Sequence, residues 1–246
     1  MSNQAEKVAL VTGASRGIGA QIARQLAADG FAVAINYASS AAEAEKLVAE
    51  LRTEGARVTA IQADMAQPEQ VRELFVQCVQ QLGGLDVLVN NAGIMQTTPL
   101  AETSDELFAR TFAVNVQGVF GCLREAAQRM NEGGRIINLS TSALALKMPG
   151  YAVYNASKAA VEAMTQVLSK ELRGRQITVN AVAPGPVETE LFLDGKTVEM
   201  VQRLAHMAPL ERLGQPEDIA AVVSFLAGPQ GGWVNGQILR ANGGIA

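Results

Sequence analysis

Residues 7–26, KVALVTGASRGIGAQIARQL, pass in one stretch from a short apolar run, through three glycines, into a segment of helical period. The run from Lys7 to Thr12 has little polar alternation, the pattern of a strand covered on both faces. Gly13, Gly17 and Gly19 follow with the spacing GxxxGxG. A glycine-rich turn that leaves a strand and opens a helix lets backbone N–H groups approach a phosphate closely, and the helix N-terminus adds partial positive charge. The loop is therefore a candidate pyrophosphate cradle. Its spacing differs from the commoner GxGxxG, and a tight strand-to-helix turn also calls for glycine on steric grounds alone.

Working outward, the same alternation repeats along the chain. Apolar runs rich in valine and isoleucine at 7–12, 31–36, 57–62, 85–90, 135–140, 177–182 and 237–240 alternate with helical segments such as 17–29, 41–54 and 68–82. That order predicts an α/β fold: a single doubly wound (Rossmann) domain over residues 1–246, with a seven-stranded parallel sheet flanked by helices. Pro68 before Glu69, and Pro216 before Glu217 and Asp218, read as helix starts, since proline needs no N–H there and acids favour the positive end of the dipole. The least regular stretch, 184–214, is longer than an ordinary connection, so a substrate lid is expected near 186–213, where Leu191, Phe192 and Leu193 should lie on something.

Composition narrows the partners. The net charge of −4, with scattered lysines and arginines, points away from nucleic acid and from a membrane surface. Cys78 and Cys122 lack metal-ligand spacing and read as buried thiols. The N-terminal MSNQAEKVALVTG runs into a strand without a signal-peptide core, and no apolar run reaches the roughly 20 residues of a membrane span, so a cytoplasmic protein is expected. The lone His206 has no triad or metal partner and reads as a helix-surface residue.

Further candidate residues fall at strand ends, where ligands of open α/β sheets gather. NNAG (90–93) offers small residues and amides to a nucleoside. Asp64 after the third strand is either an acceptor for an adenine amino group or a turn residue, and Pro184 with Gly185 either presents backbone to a carboxamide or is only a turn. In PGYAVYNASKAAVEAM (149–164), Tyr154 and Lys158 are one helical turn apart and share a face, so the ammonium is expected to lower the phenol's pKa towards working pH. Asn115 interrupts an apolar helical face in RTFAVNVQGVF.

With Thr12–Gly19 as TGxxxGxG, Asn90–Gly93 as NNAG, Asn115, Tyr154 with Lys158 as YxxxK, and Pro184–Gly185, the sequence resembles the short-chain dehydrogenase/reductases across nearly its whole length. Within them it is similar to the 3-oxoacyl-carrier-protein reductases and the tetrahydroxynaphthalene-reductase-like branch. The resemblance implies a carbonyl reductase in which Tyr154 is the general acid and base, Lys158 also holds the nicotinamide ribose, and Asn115 distorts its helix and binds a water for proton supply. It further implies cofactor contacts from Gly13, Ser15, Arg16, Gly17, Ile18, Gly19, Asn36, Tyr37, Ala38, Ser39, Ser40, Asp64, Met65, Asn91, Ala92, Gly93, Tyr154, Lys158, Pro184, Gly185, Val187 and Thr189. The small-molecule substrate would be a carbonyl compound or alcohol, a 3-oxoacyl thioester among them. In relatives the WVNGQILRANGG segment with Trp233 packs across a tetramer interface, so a homotetramer is implied.

The chain departs from the pattern at one point. The family's carbonyl-polarising serine falls, by register, on Thr141, with Ser142 the alternative if the chain shifts slightly. Cofactor choice rests on INYASSAAE: no acid stands at Tyr37, where a ribose 2′-hydroxyl would need one, while Arg16, Ser39 and Ser40 suit a 2′-phosphate, so NADP(H) is expected over NAD(H). A non-catalytic dinucleotide sensor or scaffold is the alternative on the same fold, and an intact tyrosine and lysine argue against it.

Overall fold

The computed structural model describes residues 6–193 and 195–246, apart from the side chain of Leu191. The chain runs β1 (Val8–Val11), α1 (Gly17–Ala28), β2 (Ala32–Tyr37), α2 (Ala41–Thr53), β3 (Val58–Gln62), α3 (Pro68–Leu82) and β4 (Val87–Asn90). It continues through α4 (Asp105–Phe112), a π-helical segment (Ala113–Gly118), α5 (Val119–Arg129), β5 (Arg135–Leu139), α6 (Ala143–Leu146), α7 (Ala152–Glu171) and β6 (Thr178–Pro184). The chain ends with α8 (Glu190–Leu193), α9 (Val198–His206), α10 (Pro216–Ala227) and β7 (Ile238–Ala241), and short 3-10 turns stand at Leu100–Glu102 and Pro229–Trp233. The seven strands form one parallel sheet in the order β3-β2-β1-β4-β5-β6-β7. Strand order reverses between β1 and β4, and such a switch point opens a crevice beyond the carboxyl ends of the strands.

Each strand feeds two cores because successive side chains point to opposite faces. Ala9, Val11, Val33, Ile35, Val87 and Val89 face α1, α2 and α10, where they meet Ile22, Leu26, Leu47, Leu51, Val223 and Leu226. Val8, Leu10, Ala32, Ala34, Leu88 and Ile136 face the other way, onto Leu74, Phe75, Cys78, Cys122, Leu123 and Val161 of α3, α5 and α7. Both cysteines are free and buried, and loss of hydration pushes each thiol up to about 12.

The helix starts at Pro68 and Pro216 stand where the sequence places them, the second supported by a bond from the Gln215 N–H to the Asp218 carboxylate (2.7 Å). Strand ends differ by a residue or two. β6 runs on to Pro184 because Pro184 still pairs with Ala241 of β7; proline lacks a donor but its carbonyl remains an acceptor. The 186–213 excursion is rooted by a bridge between Val187 and Gly214. Within it Phe192 is partly buried beneath Lys196, whose ammonium lies 4.7 Å from the ring centroid, and Leu193 is 37% exposed; the expected packing of the Leu191 side chain lies outside the described residues. His206 is exposed at the end of α9, as its isolation in the sequence suggests. Among the described residues no helix is long and apolar enough to cross a membrane.

Candidate active site

The crevice at the switch point is built from the glycine loop and the start of NNAG. Gly13 has φ +61°, and a Cβ there would lie 2.8 Å from the Ala92 Cα, so the two loops touch through bare backbone. Thr12 fastens them: its hydroxyl oxygen accepts the N–H groups of Asn91 (3.0 Å) and Ala92 (3.1 Å). The Asn91 amide donates to the carbonyls of Thr12 and Gly13, and the Asn36 carbonyl oxygen accepts the Gly13 N–H. The side chains of Asn36 and Asn91, both candidate cofactor contacts, are hydrogen-bonded within the protein. Asn36 is 1% exposed, its amide nitrogen donates to the carbonyls of Ile61 and Ala63, and it shapes the loop from below.

The loop offers a good fit to a dinucleotide. α1 begins without a side-chain cap and without an acid in its first turn, which leaves its positive end for an anion. Arg16 and Ser39 are exposed and Ser40 and Tyr37 partly so at the ends of the adjacent strands β1 and β2, and the first acid beyond them is Glu43 in α2. Asp64 spends one carboxylate oxygen on the Ala66 N–H (2.9 Å), the turn role its position allowed for. Met65 is 5% exposed, its sulfur contacts that of Cys122 at 3.9 Å, and its carbonyl lies against Gly118. Thr189 approaches Gly17, 3.6 Å from the place a Cβ would take, so the excursion begins against the glycine loop.

Tyr154 lies near the start of α7 and Lys158 one turn further on. Lys158 is 4% exposed, its ammonium donates to the Leu139 carbonyl (2.8 Å), and its nitrogen is 6.0 Å from the Tyr154 ring centroid. Burial pushes the Tyr154 phenol up to about 12, against a smaller downward pull from the Thr141 hydroxyl. Burial also brings Lys158 down to about 8. The expected lowering of the tyrosine by the lysine is not what the protein alone produces: desolvation raises the phenol, the downward pull comes from Thr141, and the ammonium is directed at a carbonyl.

Asn115 is fully buried at the π-helical segment. Its side chain clasps Ile94 from both sides, accepting the N–H at 2.8 Å and donating to the carbonyl at 2.9 Å. It also donates to the Ser157 hydroxyl (3.1 Å), which in turn donates to the Tyr154 carbonyl (2.7 Å). A Cβ on Gly93 would sit 3.3 Å from Asn115 Oδ1 and 3.4 Å from Lys158 Nζ, so NNAG, Asn115 and Lys158 converge on one spot. A helix with i to i+5 bonding frees carbonyls from the usual ladder, a recurrent feature of functional sites.

The two candidate hydroxyls separate cleanly. Ser142 is 2% exposed; its hydroxyl donates to the Ala183 carbonyl (2.9 Å) and accepts from Asn242 (2.9 Å), so its one proton is committed to β6. Thr141 is partly accessible, its hydroxyl oxygen accepts the Ala143 N–H (3.1 Å), and its proton is directed towards the Tyr154 hydroxyl. Pro184 accepts the Ser142 N–H, and the Gly185 N–H goes to Ala241, so the β6 turn is locked to both neighbours. Sequence reasoning passed over Ser157 and Asn242. Ser157 sits between Tyr154 and Lys158 and could have been noticed there, whereas Asn242 depends on a fold-wide return that spacing does not reveal.

Residues 13–246 match the family model described as enoyl-(acyl carrier protein) reductase. A short-chain type dehydrogenase/reductase of Picea abies is 48% identical over 97% of this chain and 92% of its own length. A chloroplastic NADPH-dependent aldehyde reductase-like protein of Arabidopsis thaliana is 45% identical over 98% of this chain and 94% of its own. The crystal structure of a blue fluorescent protein from a metagenomic library, in complex with NADPH, superposes with TM-score 0.93 at 44% identity, covering 98% of each chain. With the parallel sheet, the glycine loop and the tyrosine and lysine in their places, the chain belongs to the short-chain dehydrogenase/reductase family.

Proposed function

We propose that this protein is an NADPH-dependent reductase that converts a ketone or aldehyde carbonyl to the alcohol, a 3-oxoacyl thioester being one candidate. The observation that carries the reading is the pairing of Thr141 and Tyr154 hydroxyls above a buried Lys158 at the carboxyl end of the sheet. When bound, NADPH supplies the hydride. Thr141 donates a hydrogen bond to the carbonyl oxygen, and Tyr154 gives that oxygen its proton as negative charge develops. Lys158, still largely protonated at neutral pH, favours the phenolate left behind. Asn115 keeps Ile94 and the NNAG loop against these groups. Arg16, Ser39 and Ser40 would hold a 2′-phosphate, and Thr189, which lies against Gly17, with Val187 bridged to Gly214, would hold the 186–213 lid beside the cofactor. The similarity to an aldehyde reductase-like protein named as NADPH-dependent and to an NADPH complex supports the choice.

Assembly as a homotetramer belongs to the same reading. Phe120 (49% exposed) of α5 and Val167 (54%) of α7 flank a mainly apolar groove of about 510 Å³, and Trp233 is 99% exposed. Surfaces of this kind suit a second copy of the chain. The two free thiols fit a reducing compartment such as the cytoplasm.

The test is NADPH oxidation over a panel of aldehydes, aryl ketones, acetoacetyl thioesters and enoyl thioesters, repeated with NADH at equal low concentration. Tyr154→Phe should lower carbonyl reduction by about 10²–10⁴-fold while NADPH still binds. Full activity in that variant, or turnover of enoyl thioesters alone, would sink the proposal.

A further inference from the structure

We infer that Asn242 is a positioning residue that sets the Thr141 hydroxyl for carbonyl polarisation, an inference that rests on the reading of Thr141 given above. Asn242 directly follows β7, far in sequence from the catalytic turn, yet its amide nitrogen donates to the Ser142 hydroxyl at 2.9 Å and to the Ala246 carbonyl at 3.0 Å. Its own carbonyl oxygen accepts the Gly244 N–H (3.0 Å), which fixes the orientation of the amide.

Ser142 is held from three directions. Its N–H donates to the Pro184 carbonyl (2.9 Å), its hydroxyl proton goes to the Ala183 carbonyl (2.9 Å), and its lone pair takes the Asn242 donor. A serine hydroxyl has one proton to give, and here it is given to β6, so in a site 2% exposed the remaining valence needs a donor. Asn242 is that donor. On the other side a Cβ at Gly185 would lie 2.9 Å from both Cα and Cβ of Asn242, so the β6 turn bears directly on this residue. Asn242 thus joins the ends of β5, β6 and β7 at the residue next to Thr141. The Thr141 hydroxyl accepts the Ala143 N–H and meets the Tyr154 hydroxyl, and the backbone that aims it is continuous with the pinned Ser142.

Asn242→Asp keeps the size and the acceptor for Gly244 but removes the donor to Ser142; Ser142→Ala severs the same link from the other end. Each should lower kcat for carbonyl reduction by about tenfold or more, the scale of a small misplacement in an active site. NADPH affinity, read by protein fluorescence, should stay within about twofold, and so should the residual rate when either change is added to Thr141→Val, because the path runs through Thr141. Wild-type kcat in both variants, or the same loss in the Thr141→Val background, overturns the inference. If Thr141→Val is itself as active as the wild type, the role of Thr141 falls and this inference with it. A slow Thr141→Val beside unaffected Asn242→Asp and Ser142→Ala removes this inference alone.

Discussion

Burial acts on Tyr154 and Lys158 in one sense: it favours the neutral form of each, raising the phenol to about 12 and lowering the ammonium to about 8. For stability the sign follows from proton counting. Between about pH 8 and 10.5 the unfolded chain keeps a proton on Lys158 that the folded chain has released, so this lysine's contribution to stability rises with pH across that window. Tyr154 and the thiols oppose it at higher pH, since folding raises their pKa values. The comparison with Lys158→Met cancels those groups. The wild type should gain on that variant by roughly 3 kcal/mol from neutral pH to pH 10.5, measured by urea unfolding of the unliganded protein. A difference that stays flat with pH would mean that Lys158 is not desolvated.

Among the elements, the glycine loop carries the sharpest steric demand. A Cβ at Gly19 would fall 2.4 Å from Asn91 Nδ2 and 2.5 Å from the Gly13 carbonyl oxygen, the donor and acceptor of one bond that fixes the loop. Gly19→Ala should therefore cost about 1–3 kcal/mol of stability and also weaken NADPH binding. Gly30→Ala is the control: φ is +88° but nothing lies within 4 Å, so only backbone strain of about 1 kcal/mol is expected, with NADPH affinity unchanged. Equal effects of the two on NADPH affinity would remove the steric argument. The loop, α3 and the strands were legible because short-range periodicity and glycine spacing encode them. The choice between Thr141 and Ser142 was not, since it depends on Ala183 and Asn242, 41 and 100 residues from Ser142 in the chain, which reach it only through the sheet. Nor was the upward shift of Tyr154 in the unliganded protein, because sequence spacing shows a cation nearby but not the depth of burial.

On the scale of the molecule, the sheet brings together ends of strands that are distant in sequence, and it leaves Phe120, Val167 and Trp233 outside. If these surfaces join copies of the chain, Val167→Asp should reduce the tetramer to a smaller assembly, as seen by light scattering coupled to gel filtration; a wild-type that runs as a monomer would refute the assembly. The interior has a chemical consequence of its own. Cys78 and Cys122 lie in the same core under the sheet, protonated and out of reach, so an alkylating reagent meets them only when that core opens. Their modification rate is a clock for opening of the α3–α5–α7 layer. Excess NADPH should slow that clock by up to a factor of one plus the ratio of NADPH concentration to Kd, so that the logarithm of the slowing reads the binding free energy and turns two silent thiols into a gauge of how firmly the cofactor holds the fold together.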